Sequence, residues 1–143
     1  MRKTNQKAGL TMTRRKLREK IFSILFRVEF NSVDEMQEQI EYSLSNIENI
    51  EPEDEEYIID KTNKIIGLID DIDAEISKIS DGWKFERIGK AELAILRLAI
   101  YEMLYDDDVP YKVAINEAVE LSKIYCNEDA KGFINGLLAK VEV

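Results

Sequence analysis

Residues 109–126, VPYKVAINEAVELSKIYC, decide how the chain folds. Set on a helical wheel at about 100° per residue, Leu121, Ala114, Tyr125, Ala118, Ser122, Ile115, Cys126 and Val119 share one arc of about 160°. Val113 and Ile124 add a second apolar edge, and only Asn116, Glu120 and Lys123 gather into a polar strip. An ordinary surface helix buries a narrower stripe than this, so the segment is expected to be central and walled in by other helices. Glu117 falls between Ile124 and Leu121, where a carboxylate needs a cation. In the preceding helical run, residues 90–105 (KAELAILRLAIYEMLY), Arg97 lies between Leu104 and Tyr101. An Arg97–Glu117 ion pair joining two core helices is therefore expected.

The chain has 143 residues, 45% of them apolar, with two prolines and six glycines. That length suits one domain, and the long runs of helical period predict an all-α fold. There is one cysteine and no histidine, so no disulfide can form and the usual general base and metal ligand are missing. Cys126 sits on the apolar face, where a thiol is inert packing. Asp70, Asp71 and Asp73 lack the glycine and closing glutamate of a calcium loop, and no glycine-rich phosphate loop exists. Gly132 and Gly136 read instead as places where another helix comes close. No enzyme, metal or cofactor is expected. Neither a long uncharged apolar run nor a secretion signal is present, so a cytoplasmic protein without membrane contact is expected.

The net charge of −9 argues against a polyanionic partner, but its distribution argues for one. Residues 1–20 carry eight cations against the single anion Glu19, which leaves −16 on the other 123 residues. A basic end on an acidic body directs a polyanion to one place. Residues 1–12 have no periodicity and are expected to form a flexible basic arm, with Met12 an alternative start. From Thr13 a helix buries Leu17, Ile21, Ile24, Leu25 and Val28. Phe22 widens that core face, whereas Phe26 falls on the wheel between Arg15 and Glu19, away from it. Cations beside an outward ring suit single-stranded nucleic acid, because phosphates pair with arginine and unstacked bases lie on aromatic faces.

Asn31 ends the first helix, and Ser32 with Glu35 forms a capping box for a second that ends near Asn49. Pro52 and the acidic residues 53–56 start a third, through Ile69, which the aspartate run breaks before a short fourth carrying Ile72, Ile76 and Ile79. Asp81 and Gly82 stop that piece, and Trp83, Phe85 and Ile88 read as a core plug. Gly89 precedes the helix of residues 90–105, and residues 106–110 link it to the next. Asn127 is the expected cap of a last helix over residues 128–141, with Ile134, Leu137, Leu138 and Val141 inward and Phe133 off that face.

The segments WKFERIGKAELAILRLAIYEML, VPYKVAINEAVELSKIY and KGFINGLL, in that order, resemble the NusB family of bacterial transcription antitermination factors, as does the arginine-rich opening RRKLREKIFSILF. The likeness covers residues 13–141. It implies an all-helical bundle of about seven helices in two subdomains. It also implies binding of single-stranded boxA RNA from ribosomal RNA leaders together with the ribosomal protein NusE, within the RNA polymerase elongation complex. Carried onto this chain, the resemblance assigns Arg14, Arg15, Lys16 and Arg18 to phosphates, Phe26, Asp129 and Phe133 to RNA, and Glu92 to the NusE side. Two alternatives are weighed. One is a helical homodimer with its RNA face masked. The other is the methyltransferase to which a similar domain is fused, for which the residues after the domain are too few.

Overall fold

Helix formation follows the apolar spacing throughout the computed structural model, which describes residues 12–80 and 85–143. Seven α-helices occur among them: α1 (Arg14–Phe26), α2 (Val33–Ser45), α3 (Pro52–Gly67), α4 (Ile69–Ile79), α5 (Lys90–Tyr105), α6 (Tyr111–Tyr125) and α7 (Ala130–Leu138). Single 3-10 turns occupy Arg27–Phe30 and Phe85–Arg87, and no strand occurs among the described residues. Residues 1–11 of the expected basic arm, with Asp81, Gly82 and Trp83, lie outside the described residues. The contacts divide the chain into two compact units at Lys64 and Ile65.

In the first unit Leu17, Ile21, Ile24 and Leu25 are buried on α1, with Met36, Ile40 and Leu44 on α2 and Ile58 on α3. Phe22 joins this core, as its wheel position predicts. The Ser32 hydroxyl accepts from the Glu35 backbone N–H at 3.3 Å, and Glu35 accepts from the Ser32 N–H at 2.7 Å. Hydrogen bonding of the Glu35 carboxyl to the Ser32 backbone N–H foremost, and then to the Ser32 side chain, holds it below its ordinary range. Helix α2 ends at Ser45, earlier than expected, and the chain turns through Asn49 with φ 56, a left-handed conformation that asparagine tolerates. Pro52 opens α3 with Glu53, Asp54 and Glu55 in its first turn, where carboxylates complement the helix dipole. Asp54 is buried and accepts the Met12 backbone N–H at 3.0 Å.

The second unit corrects the expected hub. Residues 93–102 of α5 are all buried, and α5 packs against α4, α6 and α7. Helix α6 buries only Ala114, Ala118, Leu121 and Ser122, a strip of mostly small residues that lets it lie close to its neighbours. Its second apolar edge, Val113 and Ile124, is exposed, as is Tyr125. The wheel of α6 counted apolar residues correctly but not which of them a neighbour covers. Arg97, at 5% side-chain exposure, forks onto Asp73 of α4, with Nε and Nη2 donating at 2.8 and 2.7 Å. Asp73 is a partner that the sequence reading did not name. A guanidinium carries three further N–H donors, so the Arg97–Glu117 pair stands beside this fork as a proposal.

Three boundaries also move. Helix α3 stops at Gly67, before the aspartates, and Ile69 starts α4, so Asp70 and Asp71 sit in the first turn of α4 and complement its dipole. Helix α7 is shorter than expected at both ends. It follows Asp129 rather than Asn127, although Ile134, Leu137, Leu138 and Val141 are buried as predicted. Gly132 and Gly136 do not receive another helix, because a Cβ at either would meet nothing within 4 Å. Glycine there forfeits helix propensity without a packing return. Gly132→Ala and Gly136→Ala should each raise stability by about 0.5–1 kcal/mol in urea denaturation. Asp73→Asn, which leaves a buried guanidinium short of charge, should lower it by about 2 kcal/mol.

Candidate nucleic-acid interface

The first turn of α1 is electrostatically wrong for a helix. Arg14, Arg15 and Lys16 stand at the positive end of the helix dipole with no acidic residue in that turn, an arrangement that costs roughly 0.3–1 kcal/mol per charge. Thr13 offsets part of this by accepting the Lys16 backbone N–H at 3.1 Å. All three cations are exposed. Arg14 donates to the Tyr57 hydroxyl at 3.2 Å and lies 5.4 Å from that ring's centre. Lys16 pairs at 3.5 Å with Glu19. Arg15 falls within about 20° of Phe26 on the wheel, so these two share a face.

Arg18 does not join them. It is 6% exposed and lies about 20° from Leu25 on the wheel, at the edge of the core stripe, so its expected phosphate contact is withdrawn. Phe26, at 36% exposure, is not sealed in the core. Its ring packs 6.4 Å from Phe22 and 5.4 Å from Phe30, tilted at 41° and 56°. Phe30, Tyr57 and Lys61 escaped the sequence reading. The first belongs to a 3-10 turn that no helical wheel continues into. The other two belong to α3, whose neighbours periodicity cannot name.

In the second unit Glu92, Asp129 and Phe133 come together. A cleft of about 270 Å3 is lined by these three with Arg87, Gly89 and Asn127, among others. Phe133 is half-buried and Asp129 exposed. Glu92, which the resemblance assigns to a different partner, thus shares one cleft with the two α7 residues. A side chain at position 89 would meet the Glu92 carboxylate at 2.6 Å, so Gly89 leaves room for that carboxylate against the start of α5. Cys126 Sγ donates to Glu92 Oε1 at 3.8 Å. Burial, and then the neighbouring Glu92 charge, push the thiol up to about 11. Among the described residues no group of three or more Cys, Asp or Glu side chains could hold a metal, and no helix is long and apolar enough to cross a membrane.

Residues 15–143 match the pattern of the NusB family. The chain is 46% identical over 130 residues to the transcription antitermination protein NusB of Lachnoclostridium phytofermentans, covering 91% of this chain and 98% of that one. It is 47% identical over 129 residues to the NusB of Agathobacter rectalis, covering 90% and 98%. Among solved structures, T. maritima NusB superposes with a TM-score of 0.83 at 30% identity, covering 92% of this chain and 91% of that one. A complex of antitermination factors NusB and NusE with double-stranded RNA includes a chain that superposes at 0.70 with 27% identity, covering 90% and 96%.

Because the folded thiol holds its proton more tightly than an ordinary thiol at 9.0, the unfolded chain ionises first. This contribution to stability is complete below about pH 9 and is lost as pH rises towards 11. At pH 8.5 native Cys126 should react with iodoacetamide roughly tenfold or more slowly than in the unfolded chain. Glu92→Gln should lower its pKa only in part, since burial, the larger cause, remains. A pH series of alkylation rates checks both.

Proposed function

The chain belongs to the NusB family, and on that premise we propose that it is a transcription antitermination factor that binds boxA RNA of ribosomal RNA leaders together with NusE. In this reading it acts in the cytoplasm as a scaffold without chemistry of its own and joins the RNA polymerase elongation complex. The observation that carries the reading is the first turn of α1. An anionic chain places three exposed cations where they oppose the helix dipole, and such a local cost belongs to a site that serves a ligand.

Arg14, Arg15 and Lys16 hold phosphates, and Phe26 supplies a ring on which an unstacked base lies. Phe133 and Asp129 offer a second ring and an acceptor for base or sugar groups. Arg18, withdrawn from solvent, braces the helix. Glu92 is the residue to which NusE contact is assigned, and its sharing a cleft with Asp129 and Phe133 supports a reading in which the two partners' contacts meet there. Ligands that add contacts to one another tighten reciprocally, so NusE should raise RNA affinity by the factor by which RNA raises that of NusE.

With three exposed cations on phosphates, the slope of log affinity against log salt should be about −2, from about −0.7 per phosphate of a single strand. Phe26→Ala should weaken a boxA oligonucleotide by about 1–3 kcal/mol, the worth of one stacked base, while NusE binding stays unchanged. Fluorescence anisotropy across a salt series, with calorimetry for NusE, measures both. An affinity indifferent to salt would refute the proposed site.

A further inference from the structure

Beyond Phe26, the first unit presents a second group of exposed rings that the proposed RNA contacts leave unused. Phe30 is 59% exposed and packs 5.4 Å from Phe26. Tyr42 of α2 is 58% exposed, and the Arg27 guanidinium lies 5.4 Å from the centre of its ring. Arg27 and Phe30 open and close one 3-10 turn, in which side chains three apart eclipse, so they stand on the same edge. Gln39 accepts from Arg27 Nη1 at 2.8 Å, and the Asn31 amide donates to the Arg27 carbonyl at 2.9 Å. The cation is thus held in place beside the rings. Phe26, Phe30, Arg27 and Tyr42 form a run of ring, ring, cation and ring.

We propose that this run extends the RNA track, with Phe30 and Tyr42 as further base platforms and Arg27 as the phosphate contact between them. The inference rests on the RNA-binding reading above and adds to it a direction, from α1 across the 3-10 turn to α2. Single-stranded RNA is the occupant favoured because the patch is continuous with Phe26. It also sets a fixed cation beside exposed rings, as a strand sets phosphates beside bases. A protein partner would not call for a cation fixed among rings.

Two single-stranded RNA oligonucleotides test this, one bearing only boxA and one carrying about four more nucleotides at each end, a length within the site size of single-strand binders. The unaltered protein should bind the longer RNA more tightly. Phe30→Ala and Tyr42→Ala should each weaken the longer RNA by about fivefold or more and leave the shorter unchanged, whereas Phe26→Ala weakens both. Arg27→Gln should reduce the salt slope for the longer RNA by about 0.7, and Arg27→Lys should restore it, which a purely structural role would not do. Equal affinity for both lengths, or an unaffected longer complex in Phe30→Ala, overturns the extension and leaves the proposed function standing. Failure of the unaltered protein to bind either RNA overturns both. Should Phe30→Ala instead dissolve a dimer in sedimentation with RNA affinity unchanged, the patch belongs to a second copy and the extension falls.

Discussion

Arg97 is the one full positive charge within the ten-residue buried run of α5, and the second unit is arranged so that it can be there. A guanidinium out of water needs an opposite charge in a geometry that satisfies its fork, and Asp73 meets it with two bonds shorter than 3 Å. That requirement constrains α4. The helix must begin early enough to bring Asp73 against α5 while Ile72, Ile76 and Ile79 stay inward, and the break at Gly67 allows it. Hydrophobic burial turns the face of Ile72, Ile76 and Ile79 inward. The fork adds a second, directional tie between α4 and α5 beside that burial.

The first unit shows the opposite use of charge. Three of its cations, Arg14, Arg15 and Lys16, are displayed at the end of a helix that would be more stable without them. With −16 spread over the other 123 residues, the exposed start of α1 is a local reversal of the molecule's field. In the proposed function, the field that repels RNA elsewhere would orient it here, so acidity of the body and basicity of one turn would act together. On that proposal, preference for single strands would fall to the rings, which ask for unpaired bases.

Much of this was legible in the residues. Periodicity located all seven helices, the Ser32 and Glu35 spacing announced its capping box, and the wheel put Phe26 outside the core. The same wheel contained the burial of Arg18, whose position beside Leu25 was outweighed by its membership of a basic run. Other features depend on tertiary neighbours and could not be read. Small residues on α6 and large ones on α5 look alike in a count of apolar positions, yet only the latter are enclosed on several sides. Asp73 looked like part of an acidic surface because nothing local distinguishes a carboxylate that will meet a buried arginine. The grouping of Glu92 with Phe133 needed the fold, since 41 positions separate them in the chain.

Tyr57 stands between two cations of the first unit. Its hydroxyl oxygen accepts from Arg14 at 3.2 Å and from Lys61 Nζ at 3.2 Å, so both lone pairs are engaged by cations. What this phenol has left is its proton. It can enter another contact only by giving a hydrogen bond, and groups that themselves have only hydrogens to offer find no acceptor in it. A neutral side chain thereby acquires the preference of its two charged neighbours, turning towards oxygen-rich ligands.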